Sequence, residues 1–292
     1  MKKFKNIAVV LRGHVRTWHF NAPKVFDFYD SIAENVDYYF ITWDSSNTDR
    51  IEGTFKDQNL IHFQILNWQL ENSILSGGSQ AGKWYNGHLG PPFMNMLALP
   101  HIRRQEKHLG NKYECVFDTR PDVLPVRNIY IKGEFTGEPV PLTKPKDKSV
   151  YVTGLELQTN LSPDNHKTGL QDIAIQDWCL YMNSDVYEVM TNRYHKDHFV
   201  YTLGTGPGTQ IELREYIAEN NMHLCTNDWV QAYMMRPCVY QLDWLDSQST
   251  GALIDCSNTW QSLDPVEKIA LCKRYGISLS DYVDTPSITC KI

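Results

Sequence analysis

The sequence NIAVVL at residues 6–11 decides the fold class, because it is an uninterrupted run of apolar and largely β-branched side chains after its first residue. Such a run is typical of a strand that is buried on both faces of a parallel sheet. The run stops at Arg12, and Gly13 follows it. We therefore predict a strand that is buried on both faces and whose carboxyl end carries polar residues.

A helix and a second strand are predicted directly after this strand. Apolar residues recur at helical spacing over 23–34, and residues 36–43 are again apolar and β-forming. Strand, helix and strand in this order indicate a βαβ unit, and ligands of such units bind beyond the carboxyl ends of the strands. Residues 12–16 and 44–47 fall at those ends, so we expect them to contact a ligand.

The same patterns predict an α/β fold for most of the chain. The further elements that we predict are helices over 94–108, 172–193 and 209–220 and strands over 113–117 and 150–152. The alternation weakens from about residue 228 onward, although the aromatic residues continue. With 292 residues, one elaborated domain over 1–225 and an irregular C-terminal extension over 226–292, packed on the core, are expected.

Composition narrows the class of protein. The formal net charge is -6 and the basic residues are scattered, so the long cationic face of a protein that coats DNA or RNA is not apparent. No run of 18 apolar residues and no export signal is recognisable, which predicts no integral membrane contact. Seven cysteines form no C-x-x-C pair, and we expect reduced thiols and a cytoplasmic location.

The segment Asp118-Thr119-Arg120-Pro121-Asp122 is the strongest candidate for a functional site, because it follows the predicted strand 113–117 directly. A nucleotide sugar carries a diphosphate on which negative charge grows as the glycosidic bond breaks, and a divalent metal held by carboxylates stabilises that charge. Asp118 and Asp122 are the candidate ligands. The alternative is a surface ion pair between Arg120 and Asp122 at a strand end.

This segment resembles the Arg-Pro-Asp version of the donor-site motif in WavE-like lipopolysaccharide-synthesis glycosyltransferases and related GT-A enzymes. The resemblance implies a GT-A, Rossmann-like fold with a mostly parallel central sheet flanked by helices. It also implies a divalent metal, Mn²⁺ or Mg²⁺, with Asp122 as the metal or ribose contact and Asp118 as its partner.

Two other segments resemble the same family. Gly13-His14-Val15-Arg16 follows the first strand in the way that the family's Gly and Arg do, which implies that Arg16 faces the nucleotide phosphates. The alternative is that Arg16 caps a helix terminus or binds a carboxylate. The second strand ends in Thr42-Trp43-Asp44, and the resemblance implies that Asp44 contacts the uracil or the ribose. Arg12, Gly13 and Arg120 complete the expected donor-binding set.

Catalysis is assigned to Asp177, in a segment similar to the one that precedes the acceptor-side helix in the family. A carboxylate there would deprotonate the acceptor hydroxyl in an inverting transfer. A retaining enzyme would not need this base, and Asp177 as an exposed helix residue is the alternative. His198 is a candidate for a further metal ligand or, alternatively, a polar surface residue.

These features predict a hexosyl- or pentosyltransferase that moves a sugar from a nucleotide donor, a UDP-sugar by preference, to a glycan hydroxyl. The resemblance implies an acceptor in lipopolysaccharide or another surface polysaccharide. One alternative acceptor is a hydroxylated base in DNA, as some viral glycosyltransferases use. A non-catalytic protein that binds nucleotide sugars or carbohydrates is the alternative outside the enzymes.

Overall fold

The structure is a computed structural model of the chain, and its described residues cover most of the first two thirds. The described residues are 3–15, 17–44, 48–67, 90–131, 134–135, 138–153, 155–157, 173–175, 179–192, 213, 216–226, 229–237 and 252–255.

Strands outnumber helices in this part of the chain. The strands are β1 (Phe4–Gly13), β2 (Ala33–Trp43), β3 (Asn59–Leu66), β4 (Cys115–Thr119), β5 (Val123–Arg127), β6 (Tyr130–Ile131), β7 (Glu134–Phe135), β8 (Ser149–Val152), β9 (Leu155–Leu157), β10 (Ile173–Ile175), β11 (Cys179–Met182), β12 (His223–Thr226), β13 (Val230–Pro237) and β14 (Ala252–Asp255). The helices are α1 (Trp18–Ile32), α2 (Ile51–Thr54), α3 (Gly90–Leu109) and α4 (Ser184–Thr191).

A mixed, mostly parallel sheet of seven strands forms the centre of the molecule, in the order β12-β8-β11-β4-β1-β2-β3. Within it β11 runs antiparallel to both of its neighbours, and the other pairings are parallel. The chain passes from β1 to β2 and β3 on one side and then returns to β4 on the other. The junction between β1 and β4 is therefore a topological switch point, the place where open α/β sheets bind ligands.

Both faces of this sheet are covered, as the apolar run at residues 6–11 predicts. Side chains alternate along β1, so that Val9 and Leu11 pack with α1 in one core, and Ala8 and Val10 pack with α3 and α4 in a second core. The predicted α/β class and the burial of β1 on both faces are confirmed.

One predicted element is wrong. Residues 172–193 were expected to form a single helix, but their described part contains β10, β11 and the short helix α4. The residues of β11 are buried between β4 and β8, and this pairing overrides the helical periodicity. The helix begins only after Asn183, whose side chain accepts a hydrogen bond from the Val186 amide at 2.9 Å. Of the helix predicted over 209–220, residues 213 and 216–220 are described; residues 213 and 216–219 are helical, and residue 220 lies in a turn.

The described part of the C-terminal extension is joined to the core. Strand β13 pairs with β5 and β14 in a three-stranded antiparallel sheet. Trp229, just before β13, is 0% exposed and its indole N–H donates to the Tyr181 hydroxyl at 2.9 Å. Its ring also packs edge-on against Phe117 of β4. The domain boundary at residue 225 stays a prediction, although the core extends beyond it.

Substituting Trp229→Ala should lower the free energy of unfolding by about 3–5 kcal/mol, because it leaves a cavity among aromatic rings and removes the donor to Tyr181. Urea denaturation followed by circular dichroism measures this. Leu109→Ala, at a side chain that is 37% exposed, is the control and should change stability by less than about 0.5 kcal/mol. Equal effects of the two substitutions would contradict the placement of Trp229 in the core.

Three of the cysteines lie in the described residues, and all three have free thiols. Cys115 and Cys179 are buried, and burial raises the pKa of Cys179 to about 12 and that of Cys115 well above its usual range. Since the thiolate is the reactive form, both should be inert in the folded protein. Cys225 is only partly buried.

A disulfide reagent at mildly alkaline pH should therefore label Cys225 in the native protein and leave Cys115 and Cys179 unmodified. All three should react once the chain is unfolded in guanidinium chloride. Mass spectrometry of the tryptic peptides distinguishes them. Rapid labelling of Cys179 in the native state would show that the β4–β11 junction opens.

Among the helices in the described ranges, none is long and apolar enough to cross a membrane.

Candidate functional site

The candidate site lies at the carboxyl ends of β1 and β4, at the switch point of the sheet. Gly13 ends β1 with a φ of 114°, a conformation that side-chain-bearing residues rarely adopt. Val10 of β1 is in register with Asp118 of β4, so Arg12 lies two residues further along on the same face as Asp118. The register of β1 and β4 therefore brings the cation of Arg12 and the carboxylate of Asp118 together where a ligand is expected.

Arg12 and Asp118 form a buried, two-pronged ion pair. The Nε of Arg12 donates to Oδ1 of Asp118, and Nη2 donates to Oδ2 at 3.2 Å. The two side chains are 4% and 6% exposed. Charges that leave water need full hydrogen bonding, and a planar guanidinium matches a carboxylate in this geometry.

Two side chains from the helices extend this ion pair into a hydrogen-bond network. Asn95 of α3 donates from Nδ2 to Oδ2 of Asp118 at 2.7 Å, and the hydroxyl of Tyr187 of α4 donates to Oδ1 of Asn95 at 3.3 Å. Burial raises the pKa of Tyr187, so its hydroxyl stays protonated and acts as the donor. The chain Tyr187–Asn95–Asp118–Arg12 thus links both helices to the ends of β1 and β4.

The Arg-Pro-Asp segment is a tight turn between β4 and β5. The amide of Val123 donates to the carbonyl of Arg120 at 3.1 Å, which places Pro121 and Asp122 at the centre of the turn. The Nδ2 of Asn21, a buried residue of α1, donates to the Pro121 carbonyl at 3.3 Å. The turn is therefore held in place from the helix layer beneath it.

Within this turn Arg120 and Asp122 form a second bidentate pair. Nε and Nη2 of Arg120 donate to Oδ1 and Oδ2 of Asp122, both at 2.8 Å. The arginine side chain is 21% exposed, whereas that of Asp122 is 1% exposed. The pairing that the sequence left as an alternative is present, but its carboxylate is buried and is not at the surface.

Asp44 directly follows β2, beside β1 at the same edge of the sheet. Its amide donates to the Leu66 carbonyl at 2.7 Å and its side chain is exposed to solvent. Of the other predicted site residues, Arg16, Asp177 and His198 lie outside the described residues.

Sequence reasoning missed Asn95, Tyr187 and Asn21. Asn95 stands alone as an amide in the apolar stretch at residues 92–99 of a predicted helix, and it is buried. A polar side chain in such a position must find a hydrogen-bonding partner, which is a signal that points to a polar network. Tyr187 and Asn21 carry no comparable signal in the sequence.

The divalent cation implied by the resemblance needs carboxylate oxygens that are open to it. No three His, Cys, Asp or Glu side chains in the described part of the chain are grouped to hold a metal ion. Both oxygens of Asp118 and both of Asp122 accept hydrogen bonds from arginine, so as placed these carboxylates do not fit a metal centre. Metal ligation by Asp118, Asp122 and His198 stays a prediction, because the described residues hold only part of that set.

Comparison with known proteins assigns the chain to no family, because its sequence matches no protein-family model and no curated protein.

The substitution Asp118→Asn should lower the free energy of unfolding by about 3–5 kcal/mol, because it removes the charge of the carboxylate that is paired with the buried Arg12 guanidinium. Denaturant titration of the purified protein measures this. Asp185→Asn is the matched control, since Asp185 pairs with Lys112 at the surface with both side chains more than half exposed. It should cost less than about 1 kcal/mol. A small effect at Asp118 would mean that the pair is accessible to water.

Proposed function

We propose that this protein is a glycosyltransferase with a GT-A fold, which moves a sugar from a nucleotide-diphosphate donor to a hydroxyl of a glycan. The observation that carries the proposal is the placement of two arginine–aspartate pairs at the end of β4 and the switch point beside it. Open α/β sheets bind nucleotides there, and the Arg-Pro-Asp turn is the segment that resembles the donor-site motif.

The donor is proposed to lie across the carboxyl ends of β1, β2 and β4. Gly13, which has no side chain, lets a ligand approach the backbone at the end of β1. Asp44 at the end of β2 is exposed and suits a ribose or base contact, since a carboxylate accepts hydrogen bonds from hydroxyl and imide groups. The proposed donor is a UDP-sugar.

In the proposed reaction, the acceptor hydroxyl oxygen forms a bond to the anomeric carbon of the sugar. The bond from that carbon to the donor phosphate oxygen breaks, and its electron pair stays on the departing nucleoside diphosphate. In an inverting transfer the hydroxyl proton passes to a carboxylate, for which Asp177 is the candidate. The proposed acceptor is a lipopolysaccharide or another surface polysaccharide, and the proposed location is the cytoplasm.

Binding and slow hydrolysis of a panel of nucleotide sugars, each with EDTA and with Mn²⁺, tests this proposal. Isothermal titration calorimetry reports binding and release of the nucleoside diphosphate reports hydrolysis. Selective binding of one donor, with turnover in the presence of a glycan acceptor, is the expected result. Binding of one donor without any turnover would favour a non-catalytic binding protein, and binding of none would overturn the proposal.

Asp44→Ala should weaken binding of the preferred donor about tenfold, through loss of a charge-assisted hydrogen bond. Because this side chain is exposed, the melting temperature should not change. Asp185→Ala removes another exposed carboxylate, in the first turn of α4 and away from the ends of β1, β2 and β4, and should leave donor affinity unchanged. Equal affinities of both variants and the native protein would remove Asp44 from the site.

A further inference from the structure

We propose that Arg120, held in position by the buried Asp122, binds the diphosphate of the donor directly, without a divalent cation between them. The inference rests on the proposed glycosyltransferase function. It assigns to Asp122 the positioning of an arginine in place of the metal contact that the sequence suggests.

The geometry of the Arg120–Asp122 pair supports this assignment. Asp122 uses both carboxylate oxygens to hold Nε and Nη2 of Arg120, each at 2.8 Å. Among the described residues, Nη1 of Arg120 has no hydrogen-bonding partner. The guanidinium is therefore fixed along one edge and keeps donor N–H groups on another.

Exposure separates the two members of the pair. The side chain of Arg120 is 21% exposed, so a ligand can reach it, and the side chain of Asp122 is 1% exposed. A metal ion would have to displace the guanidinium and enter a buried position to reach Asp122. A phosphate group needs only to approach Arg120 from the solvent side.

The pair Arg12–Asp118 does not offer a guanidinium to a diphosphate in the same way. Arg12 is 4% exposed on its side chain, and its carboxylate partner also accepts a hydrogen bond from Asn95. That network joins β1, β4 and α3 in the interior. Arg120 instead stands on the turn after β4, at the edge where the donor is proposed to bind.

The turn itself limits the motion of Arg120. The ring of Pro121 fixes the backbone dihedral angle φ of Pro121 itself, directly after Arg120. The Val123 amide closes the turn through its hydrogen bond to the Arg120 carbonyl, and Asn21 binds the Pro121 carbonyl. A hydrogen-bonding group such as this guanidinium, if it is already oriented, needs no rearrangement when charge develops on the phosphate. As the glycosidic bond breaks, its electron pair moves to the diphosphate oxygen, and Arg120 stabilises that oxygen by hydrogen bonds while it stays protonated.

The test compares binding of UDP, GDP and CDP with binding of the corresponding nucleosides, by calorimetry, in EDTA and in Mn²⁺. The expected result is that one diphosphate binds in EDTA with an affinity close to that in Mn²⁺ and much more tightly than its nucleoside. The double substitution Arg120→Gln with Asp122→Asn removes the guanidinium and also its buried counterion. It should weaken diphosphate binding about tenfold to a hundredfold and leave nucleoside binding unchanged.

Two further variants separate positioning from charge. Asp122→Asn alone removes a negative charge, so simple attraction would strengthen diphosphate binding, whereas loss of positioning weakens it; we expect weaker binding. Arg120→Lys keeps a positive charge beside Asp122 but loses the fixed fork, and it should also weaken binding. If the double variant does not fold, Arg120→Lys carries the test. Arg104→Gln, at an exposed residue of α3, is the control for loss of one positive charge and should bind normally.

The outcomes are distinguishable. Diphosphate binding that requires Mn²⁺, or that is unchanged in Arg120→Lys and in the double variant, overturns this inference and leaves the proposed function intact. Stronger binding in Asp122→Asn also overturns it. If no nucleoside diphosphate and no nucleotide sugar binds the native protein under either condition, both the inference and the proposed function are overturned.

Discussion

The buried ion pair between Arg12 and Asp118 is the constraint on which the rest of the site depends. Each charge loses several kcal/mol of solvation when it is buried, and only close mutual contact and added hydrogen bonds compensate for that loss. Asn95 of α3 provides such a bond to Asp118, and Tyr187 of α4 in turn binds Asn95. The requirement to satisfy one carboxylate therefore fixes how α3 and α4 sit over the ends of β1 and β4.

The Arg-Pro-Asp turn depends on this arrangement, because β4 carries Asp118 and then leads directly into Arg120. Asn21 of α1 holds the turn from the opposite side of the sheet from α3. Helices on both faces of the sheet thus form hydrogen bonds with the short segment from Asp118 to Asp122. Both carboxylates of this segment are buried and already paired with arginines. In the proposed function, the pre-oriented guanidinium of Arg120 is therefore the group that would stabilise a diphosphate.

The predictability of the fold followed the strength of each local pattern. The continuous apolar runs of β1, β2 and β4 and the long periodic helix α3 were predictable, although helix α1 begins at Trp18, five residues before the predicted start. The strand β3 was missed, because it is a half-buried edge strand with His62 and Gln64 among its apolar residues. The strand β11 was absorbed into a predicted helix, since a short apolar run has no periodicity of its own to distinguish the two.

The sequence by itself determined the α/β class, the burial of β1 on both faces and the position of polar residues at the ends of strands, because these follow from local hydrophobic patterns. Only the tertiary structure decided how those polar residues are paired. Arg12 lies 106 positions from Asp118, and Asn95 and Tyr187 lie on separate helices. Which arginine holds which carboxylate, and which of them stays open to a ligand, depends on strand order and burial, and no local pattern carries that information.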